Sequence, residues 1–208
     1  MNNDFSHNDI VEIIFMRNNE IIHKIFKNVE TAENILKKYS SDIRLDLHGV
    51  TDITKPDTEL IQKDKRKSHT ISIISYVGKT SETRMLARQE VKNRIKTGQI
   101  DFGVLIFKRC KRDQSGKNTY HECGSKAWVN NFIQTQTKAI FIDDSEDHVN
   151  SVKSMNIDNL NSILFTGKTE SELLKLIEFE LDNIKGGYYN KYVKYKRKYL
   201  VLSENKKN

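Results

Sequence analysis

Cysteine and long apolar runs are both scarce in this chain. Two cysteines, Cys110 and Cys123, occur in 208 residues, which is too few for a disulfide framework, so reduced thiols in an intracellular protein are expected. The longest apolar runs, such as Gly103–Phe107 and Ile140–Ile142, suit a strand and fall far short of the roughly 20 residues of a membrane span. The first residues show no basic region followed by an apolar one, so no secretory signal is expected.

The remaining composition is that of one globular domain with additions. Hydrophobic residues make up 37% of the chain and charged residues 30%, as in an ordinary soluble protein. Cys110, His121 and Cys123 are imaginable as zinc ligands, but three ligands without paired spacing indicate such a site only weakly.

The segment Ile43–Thr51 is the most informative part of the chain. An apolar strand delivers Asp46 directly into a turn at Gly49, where backbone N–H groups can face an anion. A phosphoryl-accepting aspartate is presented in this way. Many parallel strands also end in Asp before Gly simply to cap a loop, so the segment alone leaves both interpretations open.

Three further segments follow in an order that suits phosphoryl chemistry. The β-branched run Thr70–Ser75 ends in a hydroxyl that can hydrogen-bond a phosphate oxygen. Lys126 begins an amphipathic stretch and can offset the charge of a phosphoryl group. The strand Lys138–Ile142 then runs into the acidic cluster Asp143–Asp147, whose hard oxygen ligands suit Mg²⁺.

In this order the four segments resemble the motifs of the haloacid dehalogenase (HAD) superfamily. The resemblance covers roughly Asp42 to Glu180. It implies a three-layer α/β sandwich with a Rossmann-like parallel sheet, in which the motif residues meet at the carboxyl ends of neighbouring strands. The activity that it implies is that of a Mg²⁺-dependent phosphatase.

The resemblance also implies a role for each residue. Asp46 is the nucleophile that forms an aspartyl-phosphate, while Ser75, Lys126 and Gly49 bind the phosphoryl group. Mg²⁺ is held as a cofactor by a larger set of oxygen ligands. These ligands are Asp46, the backbone carbonyl of His48, and Asp143, together with Asp144 or Asp147 around the metal.

One position departs from the family pattern. Family phosphatases usually carry a second Asp two residues after the nucleophile as the general acid and base, and this chain has His48 there. Imidazole also transfers protons near neutral pH, so His48 is the candidate catalytic acid and base. The alternative is a catalytically impaired, HAD-like pseudoenzyme that acts as a viral binding or assembly module.

The segments around these motifs predict three regions. Residues 1–41 form an extension, in which strands Ile10–Met16 and Glu20–Phe26 make a hairpin around Asn18-Asn19 and a helix follows. This extension is either an extra edge of the sheet or a small interaction module. Residues 42–185 form the HAD-like domain, with a helix over Ser81–Lys96 and a strand over Phe102–Phe107. Residues 186–208 form a basic tail.

The two insertions are too short for a cap domain. Asp52–Lys67 and Lys108–Glu122 are polar, and the second is predicted to be a basic hairpin or loop. Within the family, a capless architecture goes with large substrates such as phosphoproteins or nucleic-acid ends. The net charge of +7 weakly favours a polyanionic substrate. Alternatively, lysine is simply abundant in this chain and the basic loops are solvated. The basic residues concerned are Lys63, Lys65, Arg66, Lys67, Lys108, Arg109, Lys111 and Arg112.

The C-terminal segment is distinct from the domain. A capping box at Thr169 and Glu172 predicts a helix to about Ile184, and Gly186-Gly187 follows it. The Tyr- and Lys-rich stretch Tyr188–Leu200 resembles tails on proteins of giant DNA viruses of amoebae, and the Asn-, Ile- and Lys-rich composition fits an AT-rich genome. The Tyr- and Lys-rich stretch is predicted to form a helix that docks to a viral or self partner. This would take place in the host cytoplasm, the viral factory or the virion. The alternative is a solvated helix that packs on its own domain.

Overall fold

A computed structural model describes residues 9–51, 69–78, 80–107, 111–112, 118–119, 124–135 and 138–180. The chain divides into two compact units, Met1–Thr169 and Glu170–Asn208. The first unit contains the sheets and the helices that position the candidate site. Within the second unit, residues 170–180 are helical.

The described strands form one large sheet and one small one. Seven strands make the large sheet, and two strands of two residues each make the small one. The strands are β1 (Ile10–Arg17), β2 (Glu20–Phe26), β3 (Ile43–Leu45), β4 (Ile71–Val77), β5 (Phe102–Phe107), β6 (Lys111–Arg112), β7 (Asn118–Thr119), β8 (Ala139–Asp143) and β9 (Leu160–Leu164).

The large sheet has the order β2-β1-β5-β4-β3-β8-β9. Strands β5, β4, β3, β8 and β9 are parallel to one another, whereas β1 is antiparallel to both β2 and β5. The chain builds outward from β3 through β4 to β5 and then returns to place β8 on the other side of β3. The order of strands therefore reverses between β3 and β8, where ligand sites of open parallel sheets occur.

The N-terminal hairpin extends the large sheet. Its turn residues, Asn18 and Asn19, have φ values of 51° and 63°, a left-handed conformation that asparagine tolerates and that tight two-residue hairpin turns require. The predicted hairpin is confirmed, and its pairing with β5 makes it an edge of the sheet.

Helices cover both faces of the sheet within the first unit. Asn28 caps the N-terminus of α1 (Val29–Leu36) by accepting from the backbone N–H of Thr31 at 2.9 Å. Thr80 caps α2 (Ser81–Lys96) in the same way by accepting from the N–H of Thr83 at 3.1 Å. The helices are α1 (Val29–Leu36), α2 (Ser81–Lys96), α3 (Gly124–Phe132) and α4 (Glu146–Ser154).

The packing of buried residues shows which helices lie on the same face of the large sheet. Buried residues of α1 and α3 pack with Val11, Ile13 and Val104 of the sheet, and α4 packs beside α3 on Phe141. On the opposite face α2 approaches Gly103 so closely that a Cβ there would lie 2.5 Å from Val91 Cγ1. The predicted three-layer α/β sandwich is therefore confirmed.

Several predictions concern segments that the structure does not describe. These are Asp52–Lys67, the weakly indicated zinc ligands Cys110, His121 and Cys123, and the tail 186–208, all of which lie outside the described residues. Of the segment Lys108–Glu122, β6 and β7 are described and pair antiparallel. Within the described part of the chain, every helix is too short or too polar to cross a membrane.

Candidate active site

Two aspartates lie side by side where the strand order reverses. Leu45 of β3 pairs with Ile142 of β8, so the next residues along the two parallel strands, Asp46 and Asp143, are neighbours at the same edge. The backbone N–H of Asp46 donates to the carbonyl of Ile142 at 3.0 Å. Both aspartates are buried, with 5% and 0% of their surface exposed. The sheet thus places two carboxylates close together away from bulk water.

Lys126 lies between the two carboxylates. Its Nζ donates to Asp46 Oδ1 at 2.6 Å and to Asp143 Oδ2 at 2.5 Å. The lysine is fully buried in the first turns of α3, so its ammonium has exchanged water for these two ligands. We refer to Asp46, Lys126 and Asp143 as the carboxylate–lysine cluster. One ammonium faces two carboxylates, so the ionised cluster carries one uncompensated negative charge.

The two carboxylates have opposite tendencies to ionise. Burial raises the pKa of Asp46 above its ordinary value, against the lowering effect of Lys126, and the neighbouring Asp143 charge adds to the rise. Burial acts in the same direction on Asp143, but the hydrogen bond from His148 and the charge on Lys126 outweigh it and hold the pKa of Asp143 below its ordinary value. A second cation at the cluster would favour the charged form of both aspartates.

Ser75 reaches the same place from β4. Since Leu45 pairs with Ile73, Ser75 lies beyond the end of β3, and its buried hydroxyl hydrogen-bonds Asp46. The hydroxyl is also 3.1 Å from the carbonyl oxygen of Tyr76. A hydroxyl has one proton, so it can turn from one acceptor to the other.

The turn Leu47–Thr51 wraps around the end of Asp46. The backbone N–H of His48 donates to Asp46 Oδ2 at 3.0 Å, and the N–H of Thr51 donates to the Asp46 carbonyl at 3.2 Å. The His48 side chain is exposed. Gly49 has φ of +79°, and a Cβ there would lie 2.0 Å from Asp144 Oδ2, so both the backbone conformation and the close approach require glycine.

Three aspartates at this edge of the sheet could hold a metal ion. Asp46, Asp143 and Asp144 each offer one carboxylate oxygen, and these oxygens lie within 4.8 Å of one another. Asp144 is exposed, so the cluster opens to solvent on one side. Asp147 is in the first turn of α4 and is not part of this group of three. The set of carboxylate oxygens is of the kind that hard cations prefer.

The structure adds two residues that the sequence motifs did not single out. His148 Nδ1 lies 3.1 Å from Asp143 Oδ1 and 3.3 Å from Lys126 Nζ. The Tyr76 ring lies 5.1 Å from the His148 ring, and the Tyr76 hydroxyl accepts from the backbone N–H of Lys126 at 3.3 Å. The sequence signal for these residues is their position. Tyr76 directly follows Ser75, and His148 follows the acidic strand end by one helical turn.

The candidate site therefore unites Asp46, Ser75, Lys126 and Asp143, with Gly49 and His48 in the turn around the nucleophile candidate. The carboxylates of this arrangement could hold a cation. Comparison with protein-family models, with curated proteins and with solved structures finds no match for this chain.

Proposed function

We propose that this protein is a Mg²⁺-dependent phosphatase of the HAD type that acts through an aspartyl-phosphate on Asp46. The observation that carries the proposal is Lys126 Nζ placed between Asp46 and Asp143, at 2.6 and 2.5 Å. A nucleophilic carboxylate, a fixed positive charge and oxygen ligands for a cation are the parts that phosphoryl transfer needs.

Mg²⁺ fits the donors of this site. Asp46, Asp143 and Asp144 offer carboxylate oxygens close together, and the two buried aspartates exceed the single charge of Lys126 by one. When bound, the ion would neutralise charge on the phosphoryl oxygens and on the attacking carboxylate. The backbone carbonyl of His48 remains a further expected ligand, and Asp147 an expected residue around the metal.

The proposed reaction has two steps and uses these side chains. A carboxylate oxygen of Asp46 attacks phosphorus, the bond from phosphorus to the leaving oxygen breaks, and that oxygen takes a proton. Water then attacks the aspartyl-phosphate, loses a proton and releases phosphate, which restores Asp46. Lys126 stabilises negative charge in both steps, and Ser75 supplies a hydroxyl for a phosphoryl oxygen.

His48 is the proposed proton donor and acceptor. Its backbone N–H donates to Asp46 Oδ2 and its side chain is exposed, so the imidazole can exchange protons with solvent close to the proposed nucleophile. In the other proposal, the pseudoenzyme, this histidine leaves a phosphate- and metal-binding pocket without turnover.

The proposed substrate is a large phosphorylated molecule, a phosphoprotein or a nucleic-acid end. This follows from the short insertions at the two cap positions and from the basic residues in them, of which β6 contributes Lys111 and Arg112. Activity on a phosphopeptide or a phosphorylated DNA end should then exceed activity on a small phosphate ester. Preference for a small metabolite would contradict the proposal about substrate size.

Hydrolysis of 4-nitrophenyl phosphate by the purified protein tests the function directly. We expect turnover with Mg²⁺ and none with excess EDTA, and Asp46→Asn should abolish turnover because the amide cannot attack phosphorus. Ser72→Ala is a matched control, since Ser72 is also buried in the sheet and its hydroxyl contacts Ser41 at 2.8 Å. Activity that survives in Asp46→Asn would contradict the proposed nucleophile.

A further inference from the structure

Arg44 is a fully buried arginine in the strand that leads to Asp46. It interrupts an otherwise apolar strand, and its guanidinium donates to carbonyl oxygens. Nε donates to the Ser41 carbonyl at 3.3 Å, Nη1 to the Asn130 carbonyl at 2.7 Å, and Nη2 to the Ile133 and Gln134 carbonyls at 3.1 and 3.4 Å. These carbonyl oxygens show which segment of the chain Arg44 contacts.

That segment is the C-terminal end of α3, the helix that carries Lys126. The last carbonyls of a helix lack intrahelical partners and carry partial negative charge. Burial lowers the pKa of Arg44 to about 9, which still leaves the guanidinium charged at neutral pH. Arg44 therefore joins the end of α3 to β3.

Asn130 extends this connection to Lys126 itself. Arg44 Nη1 donates to Asn130 Oδ1 at 3.3 Å, and Asn130 Nδ2 donates to the Lys126 carbonyl at 3.0 Å. All three side chains are buried, each with 0% exposure. Because the arginine can only donate, it fixes the Asn130 amide with its oxygen toward Arg44 and its nitrogen toward Lys126.

The backbone of Lys126 is thus held by two strands of the sheet. Tyr76 of β4 accepts from its N–H at 3.3 Å, and Arg44 of β3 acts on its carbonyl through Asn130. The same two strands carry Ser75 and lead to Asp46. The position of the ammonium is therefore tied to the elements that position its partners.

We propose that Arg44 and Asn130 are positioning residues, which fix the Lys126 ammonium against Asp46 and Asp143. The effect of this positioning on turnover rests on the proposed phosphatase function, whereas its effect on the location of Lys126 does not. The experiment therefore measures both.

Two variants separate positioning from folding. Asn130→Asp keeps the shape of the side chain and gives Arg44 a carboxylate partner, but it removes the N–H that holds the Lys126 carbonyl. Arg44→Lys keeps the charge and loses the planar fork that bonds several carbonyls. Asn93→Asp is the control, since it makes the same amide-to-carboxylate change at an exposed position of α2, and thermal unfolding identifies the folded variants. If Arg44→Lys does not fold, the proposal is tested with Asn130→Asp alone.

Acetic anhydride labelling followed by mass spectrometry reports the location of Lys126 without any turnover. In the wild type, burial and its two carboxylates should protect Lys126 relative to the exposed Lys38. We expect severalfold greater labelling of Lys126 in Asn130→Asp and Arg44→Lys, and no change in Asn93→Asp. Wild-type labelling of Lys126 in folded Asn130→Asp, or an equal increase in the control, would overturn the proposal.

The kinetic measurement uses 4-nitrophenyl phosphate with Mg²⁺. A displaced ammonium should lower kcat by roughly tenfold to a hundredfold, because small misplacements of catalytic groups are costly, while KM stays near the wild-type value. A wild-type protein without turnover would reject the phosphatase function, and the labelling would still decide the positioning. Increased labelling with unchanged kcat would overturn the catalytic part of the inference.

Discussion

At the carboxyl ends of β3 and β8, Asp46 and Asp143 share one ammonium, whereas at the antiparallel edge of the sheet one carboxylate has two basic partners. There Glu12 accepts from Arg88 Nε and Nη2 at 2.7 and 2.5 Å and contacts His23 Nε2 at 2.7 Å. We refer to Glu12, His23 and Arg88 as the hairpin cluster. Both clusters are built around buried carboxylates. In the hairpin cluster one carboxylate faces two basic groups, whereas in the first cluster two carboxylates share Lys126, with His148 beside Asp143.

The difference in charge balance separates a site from a structural contact. In the hairpin cluster, burial raises the pKa of Glu12, but hydrogen bonds from Arg88 and His23 outweigh it, so the pKa lies below the ordinary value. The cluster is satisfied by its own residues and joins β1, β2 and α2. In the carboxylate–lysine cluster burial prevails at Asp46, so a bound cation would complete the charge balance.

Among the substitutions considered, Asp143→Asn should have the largest effect on activity. It leaves one carboxylate against Lys126, so the cluster loses one negative charge and one metal ligand. We expect loss of Mg²⁺-dependent turnover by roughly a thousandfold, since a catalytic metal supplies several kcal/mol of transition-state stabilisation. The measurement is the rate of 4-nitrophenyl phosphate hydrolysis over a Mg²⁺ titration. A variant with wild-type turnover and Mg²⁺ dependence would contradict the cation site.

His48→Ala should have the next largest effect. Removal of a general acid and base lowers turnover by about a hundredfold or more, while the Asp46 contact made by the His48 backbone N–H should survive. The measurement is kcat for 4-nitrophenyl phosphate under saturating Mg²⁺. His48→Asp restores the family pattern and should keep or raise kcat. If the wild type is inactive and His48→Asp alone gains turnover, the pseudoenzyme proposal replaces the active enzyme.

Glu12→Gln should affect stability and leave kcat unchanged. It weakens charged hydrogen bonds to Arg88 and His23, so we expect a loss of about 1–3 kcal/mol in the free energy of unfolding. Arg88 is 33% exposed, so water can solvate the charge that is left and limits the loss. Glu33→Gln, in an exposed i,i+4 pair with Lys37, is the control and should change stability by less than about 0.5 kcal/mol. Urea denaturation measures both, and a large loss of kcat per folded molecule would place the hairpin cluster within the active site.

The two clusters also differ in how far sequence predicts them. Asp46 follows an apolar strand, and Ser75 and Asp143 lie near the carboxyl ends of two others. These local patterns, in an order that resembles the HAD motifs, were the basis for expecting the three residues at one edge of a parallel sheet. The boundaries of α2 and β5 agree with the prediction for a similar reason, since each has a local pattern and a clear end.

Pairings that depend on the packing of distant segments were not predictable. Arg88 reaches Glu12 across 76 positions of the chain, and Arg44 reaches Asn130 across 86. Each of these residues lies in a segment that was predicted as a strand or a helix, but the local pattern does not identify the distant residue that it contacts. His148 was missed for the same reason: its role depends on the angle at which α4 leaves β8, and no local motif encodes that angle.

The pH dependence of stability gives the finest test, because the two clusters should act with opposite sign in metal-free protein. The lowered pKa of Glu12 means that its contribution is present above the ordinary value of 4.5 and is lost as the pH falls through its folded pKa. The raised pKa of Asp46 means that stability falls as the pH rises from the ordinary value of 3.8 through its folded pKa.

Melting temperatures from pH 3 to pH 7 in EDTA should therefore diverge for two isosteric variants. Glu12→Gln should melt below wild type at pH 7 and approach it in acid, because only ionised Glu12 stabilises the fold. Asp46→Asn should melt above wild type at pH 7 and approach it in acid, because the amide avoids a buried negative charge. Mg²⁺ should raise the melting temperature of wild type more than that of Asp46→Asn, since ligand binding stabilises the folded state that holds the ligand. Parallel curves for the two variants would mean that the excess acid of the carboxylate–lysine cluster is already neutralised within the protein, and the reason for expecting a cation there would be gone.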